Sequence, residues 1–230
     1  MSAKNDADLA GLRNMLVEQG YAEAEPEMLE IHVPTDDLDA NALCNLVYMV
    51  KSKQYLLNRV TRRETFKISD SIIAALTEHT PADGAAFRAA VSADADAMTG
   101  LTFYEDNVAF AFPLSEDAAK NHAYAEIAAF MVKAAREATR ISWEERKPQN
   151  EKYYLRCWLL RLGLTGAGAK ESRKALLAGL NGHVAFKTKE GEERHKAKLA
   201  AKRAANRETL ATGETADETE DETPEKALNI

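Results

Sequence analysis

The run Gly163-Leu-Thr-Gly-Ala-Gly-Ala-Lys-Glu-Ser172 comes nearest to a chemical motif in this chain. A phosphate-binding loop places Lys directly after its last Gly and Ser or Thr directly after Lys. The amine and hydroxyl then reach phosphate and magnesium together. Here Ala169 separates Gly168 from Lys170, Glu171 separates Lys170 from Ser172, and no strand is expected ahead of the run. Nucleotide hydrolysis is therefore not the reading. The five histidines, His32, His79, His122, His183 and His195, are scattered, and none stands at zinc-site spacing from another His or Cys. No Gly-x-Ser-x-Gly elbow is present. The acidic pairs Asp36-Asp37, Glu105-Asp106 and Glu144-Glu145 fall at helix starts or in turns, where capping and solvation account for them. We expect no enzyme, no cofactor and no metal.

Basic side chains are the more informative chemistry. In the segment 150–187, Arg156 and Arg161 sit on a helix whose other positions are mostly apolar. They should be partly enclosed and in need of partners, either core carboxylates or an external anion. Lys170, Arg173 and Lys174 share one side of the next helix at i, i+3 and i+4. They occupy its first two turns, where free N–H groups near Gly166 and Gly168 would join them in attracting phosphate. The alternative is a solvated basic face, with Leu176, Leu177 and Leu180 docking the other side. Together with Lys187, these five residues are the candidates for contact with an anion or nucleic acid. The helix–Gly turn–helix arrangement could then act like a helix-turn-helix unit, extended by the Lys/Arg-rich run to Arg203.

The charge layout supports that emphasis. The net charge is -7 over 230 residues, but residues 1–139 carry 12 Lys/Arg against 22 Asp/Glu, residues 140–203 carry 16 against 7, and residues 204–230 carry 2 against 8. A basic block between acidic neighbours is a better guide to partners than the total. Apolar stretches fall short of the roughly 20 residues a membrane span needs, and Met1 to Leu9 does not read as a signal peptide. Cys44 and Cys157 lie far apart in apolar helical contexts and read as buried reduced thiols, so a cytoplasmic location is expected.

The elements that must position these residues read as α+β: mostly helical, with a small antiparallel sheet. A first helix is predicted from Asp6 or Asp8 to Gln19. Met28–Val33 alternates as a strand should, and Pro34-Thr-Asp-Asp37 supplies caps for a long helix to about Val60. Phe66–Ile68 makes a second short strand. Two Ala-rich helices, Ser71–Glu78 and Gly84–Met98, read as an insertion over 69–98. Leu101–Tyr104 and Val108–Phe112 form a hairpin, and a helix is predicted from Ser115 to about Ile141. Asn150 caps a helix to Leu162, and a last core helix ends near Leu180-Asn-Gly182. The core is thus one α+β domain over 1–187, followed by a charged tail, 188–230, expected to be largely disordered.

The stretch Asn150-Glu-Lys-Tyr-Tyr-Leu-Arg-Cys-Trp-Leu-Leu-Arg-Leu-Gly163, with Lys170, Arg173-Lys174, Leu176-Leu177 and Ala185-Phe-Lys187, resembles the "virulence-related protein" family. Members are carried by conjugative transposons and prophages, mainly of Gram-positive bacteria. The likeness extends to Leu29–Pro34, the hairpin ending Ala111-Phe-Pro113, and the helix through Tyr124. The chain departs from the pattern at Ser142-Trp-Glu-Glu-Arg146, where the family has a basic Thr-Ala-Lys-Glu-Lys stretch, and in its 69–98 segment. An additional N-terminal region of many members is also absent. The family has no settled activity, so the resemblance implies a mobile-element accessory protein and transfers no site residue. The expected partner is DNA or RNA through 150–203. The alternative is a host factor such as a defence nuclease, inhibited by an acidic surface that mimics nucleic acid.

Overall fold

A computed structural model describes residues 27–186, 191, 193–201 and 203. The fold is α+β. The chain divides at Gly182 into two compact units, slightly before the boundary at Lys187 expected from composition. The predicted N-terminal helix, the acidic tail after Arg203 and Lys187 itself lie outside the described residues.

In the first unit, β1 (Met28–Pro34) runs antiparallel to β5 (Asn107–Pro113), and β4 (Leu101–Phe103) pairs with the other side of β5. Leu29, Ile31 and Val33 turn one way and Glu30 and His32 the other, the period-two pattern of a half-buried edge strand. The central strand β5 buries Val108, Ala109, Phe110 and Phe112. Phe112 stacks on Tyr124 of the covering helix, with ring centroids 4.4 Å apart, and meets Phe66 edge-on at 5.1 Å. Burial pushes the Tyr124 hydroxyl up to about 12, against the opposing charge of Arg62.

The long helix α1 (Ala40–Thr61) is capped by Asp39, whose Oδ1 accepts the Ala42 N–H at 2.7 Å. The cap is therefore Asp39, not the Asp36-Asp37 pair, because Leu38 is drawn into the core just ahead of it. Leu43, Val47, Val50, Leu57 and Val60 are all buried along its inner side. Asn58 then clamps the returning chain, accepting the Phe66 N–H and donating to the Phe66 carbonyl, each at 2.8 Å.

β2 (Lys67–Ile68) leads into α2 (Asp70–Glu78) and α3 (Gly84–Ser92), capped by Ser69 and Asp83. The second of these helices stops at Ser92, well short of the predicted Met98. Asp94 takes the Asp96 N–H to cap a short 3-10 turn, and Met98–Thr99, strand β3, is claimed by a ladder with β2. This segment contributes Ile72, Ile73, Leu76, Phe87 and Val91 to the shared core.

The helix α4 (Ala118–Glu137) is also shorter than its apolar stripe predicts. Asp117 is its cap, not Ser115, whose backbone N–H and C=O are both bound by the Asn121 side chain. At the far end, Asn45 of α1 donates to the Ala138 carbonyl at 2.7 Å and accepts the Ile141 N–H at 3.0 Å. That amide substitutes for the next helical turn, and residues 138–149 leave α4 as a strap without helix or strand. After the strap, Asn150 caps α5 (Glu151–Leu162) as predicted, its Oδ1 accepting the Tyr153 N–H. Gly163 ends it with φ +105, and α6 (Lys170–Leu177) follows, packed along α4. In the second unit, residues 193–201 are helical, and Phe186 contacts the rings of His183 and His195.

Candidate anion-binding site

The strap is the wall between two adjoining grooves. Its alternation sends Glu144, Arg146 and Pro148 into one groove and Glu145 and Lys147 into the other. The side chain of Trp143 is pinned against Tyr48 of α1, with centroids 5.3 Å apart. Among the described residues the strap makes no backbone ladder bonds, and this ring contact helps to hold it in place.

The first groove, about 380 Å³, lies between α1, the strap and α5. Lys53, Arg146 and Arg161 converge on it over a floor that includes Leu56, Ile141 and Trp158. Lys53 Nζ lies 5.9 Å from the Trp158 ring centroid and donates to Ser52 Oγ at 3.2 Å. Burial, and then the charges of Arg161 and Arg146, hold the Lys53 ammonium below the usual lysine range. Glu144 is the one carboxylate among the lining residues, 3.7 Å from Arg146 Nη2.

The second groove, about 700 Å³, is lined by Arg59, Arg62, Arg63, Lys67 and Lys147 against Glu64 and Glu145. Lys147 Nζ sits 5.8 Å from the centroid of Tyr55, and Gln54 donates to Glu145 Oε2 at 3.2 Å. Arg62 ends α1 in the left-handed region at φ 59. Gly179 makes room for its guanidinium, since a Cβ there would lie 2.6 Å from Arg62 Nη2. Below the groove, buried Glu151 accepts from Tyr55 Oη at 2.8 Å, Arg59 Nε at 2.9 Å and the Asn181 N–H at 2.9 Å. Burial alone would raise that carboxyl. The three donors and the Arg59 charge outweigh it and hold the group below the ordinary glutamate range. Among the described residues, eight Lys/Arg side chains across both grooves face four carboxylates, counting Glu151.

The structure brings one of the residues singled out from sequence, Arg161, into this site, as an exposed side chain and not an enclosed one. Arg156 is half-buried on α5 and lines neither groove. Arg173 turns back on the glycine-rich joint, donating to the Leu164 carbonyl at 2.7 Å and the Gly166 carbonyl at 3.0 Å. Lys170 and Lys174 are exposed on α6, while Leu176 and Leu180 are buried beneath it, as the solvated-face alternative has it. Among the described residues, Arg156, Arg161, Lys170, Arg173 and Lys174 form no ion pair with a carboxylate. The joint 163–169 is longer than the turn of about three to four residues in a helix-turn-helix, so the pair α5–α6 departs from that motif.

The cations of α1 escaped the sequence reading. Residues 51–67 hold six Lys/Arg and one Glu, yet they lie inside a 139-residue stretch whose total is acidic. A shorter charge window exposes them.

Cys44 is buried, its thiol pushed up to about 11 by burial and then by Asp39, whereas Cys157 is partly exposed, contrary to expectation. Among the described residues, no group of three His, Cys, Asp or Glu side chains is placed to hold a metal, and no helix is long and apolar enough to cross a membrane. No family model, curated protein or solved structure matches the chain.

Proposed function

We propose that this protein is a non-enzymatic accessory protein that binds nucleic acid through the two grooves flanking residues 141–148. The observation that carries the reading is the gathering of eight Lys/Arg side chains from α1, the turn after it, β2, the strap and α5 into two adjoining grooves, in a chain whose net charge is -7. Charge collected against the global balance fits a polyanion and serves the core poorly, because like charges held together repel. Exposed Arg63, Lys67 and Lys147 would track the backbone, and Arg161 and Lys53 would take a phosphate in the groove between α1 and α5. The family likeness of 150–187 suits such a protein to a phage or conjugative element.

Salt titration of DNA and RNA gel shifts tests this. Each phosphate contact steepens the dependence of affinity on salt by about 0.9 for duplex and 0.7 for single strands. The triple variant Arg63→Ala, Lys67→Ala, Lys147→Ala should therefore flatten the slope by roughly two to three units. Lys170→Ala with Lys174→Ala, on the opposite helix of the α5–α6 pair, should leave it unchanged. Absence of binding at low salt refutes the proposal. A slope that responds to Lys170 and Lys174 alone moves the interface to α6.

A further inference from the structure

We infer that the groove between α1 and α5 seats a phosphate monoester, either the terminal phosphate of a polynucleotide or that of a free mononucleotide. This inference rests on the reading of the basic face as phosphate-binding and assigns different ligand groups to its two grooves.

Three cations close on the smaller groove from three directions: Lys53 from α1, Arg146 from the strap and Arg161 from α5. Glu144 offsets part of the Arg146 charge at 3.7 Å, which leaves about two positive charges without a carboxylate among the lining residues. An internal phosphodiester brings one negative charge. A monoester brings about -1.5 to -2 at pH 7, with three strong acceptor oxygens. Charge balance and donor number both match the monoester.

Lys53 is held between Ser52 Oγ and the face of Trp158, neither of which neutralises it. The repulsion from Arg146 and Arg161 that depresses its ammonium would be relieved by a dianion seated among them. The volume, about 380 Å³, lies at the lower end of the range for small-molecule sites. It accommodates a phosphate with an attached sugar or ring, and Leu56, Ile141 and Trp158 offer that body an apolar wall. The second groove is larger, and Glu64 and Glu145 moderate its charge, as suits singly charged backbone phosphates passing over it.

The test uses the full chain and a short single-stranded oligonucleotide labelled at its 3′ end, carrying either a 5′-phosphate or a 5′-hydroxyl, read by fluorescence anisotropy. The phosphorylated form should bind about tenfold more tightly, as expected for added charge-assisted hydrogen bonds. Arg161→Ala and Lys53→Gln should each remove the difference. Adenosine monophosphate competing away the advantage at low concentration identifies the source as a mononucleotide. Competition only by phosphorylated oligonucleotide identifies a polynucleotide end, and both outcomes uphold the seat.

A second readout needs no variant. The monoester takes up its second proton near pH 6, and no histidine lines the groove. The advantage of the phosphorylated form should therefore shrink as pH falls from about 7 to about 5. Equal affinities of the two oligonucleotides throughout, with salt-sensitive binding retained, overturn the monoester seat and leave backbone binding standing. Failure of both to bind overturns the two readings together.

Discussion

Glu151 is 2% exposed, yet it is ionised and joins three parts of the chain: Tyr55 and Arg59 of α1, and the Asn181 backbone beyond α6. A buried carboxylate survives when its oxygens are filled by donors, and removing the charge strands those donors. Glu151→Gln should lower stability by about 1–3 kcal/mol at neutral pH, measured by denaturant titration. Its folded-state pKa lies below the ordinary glutamate value of 4.5. The stabilisation is therefore present above that pH and lost as pH falls through the folded value. The wild type and the Gln variant should converge in acid, and a stability gap that persists unchanged at low pH would contradict this account. In sequence, Glu151 reads only as an acidic residue in the first turn of a helix. Tyr55 and Arg59 lie 96 and 92 positions away along the chain and Asn181 lies 30 away, and no local pattern announces them.

At the scale of elements, legibility follows the origin of the forces. The β4–β5 hairpin, the alternating strand β1 and the helix capped by Asn150 are written in local period and local hydrogen bonding, and they form where the pattern places them. The ends of α3 and α4 are set from outside. A ladder with β2 takes Met98, and the Asn45 amide takes Ala138 and Ile141, so the apolar stripes overrun the helices. The same division explains the site. Arg161 is readable from its own helix, whereas the strap becomes a groove wall through distant contacts from Asn45, Tyr48, Gln54 and Tyr55 of α1. Arg173 is the instructive case, because its spacing from Lys170 and Lys174 suggested an anion contact and its guanidinium instead closes the joint 163–169. Arg173→Ala should cost about 1 kcal/mol, quicken proteolysis near Gly166 and Gly168, and leave nucleic-acid affinity unchanged. A loss of affinity at full stability would restore the residue to the interface.

For the whole molecule, the point is that charge is segregated and not merely unbalanced. A chain with a sequence pI near 5.4 should pass through a heparin column at neutral pH if its charges were evenly mixed. With the grooves intact it should be retained and elute with salt, and Arg63→Ala with Lys147→Ala should advance its elution. Deleting residues 204–230, which carry 2 Lys/Arg against 8 Asp/Glu, should delay elution by removing repulsion. Flow-through of the intact protein would contradict segregation. The strap 138–149 carries a different kind of consequence. Consecutive side chains of an extended backbone face opposite sides. One residue inserted after Trp143 would exchange the complements of the two grooves, sending Arg146 to the Arg62 side and both Glu145 and Lys147 towards Lys53. Composition, mass and net charge would scarcely alter, yet the division of charge between the cavities would be redrawn. Along this stretch substitutions are graded in their effects, while changes of length act as a parity switch.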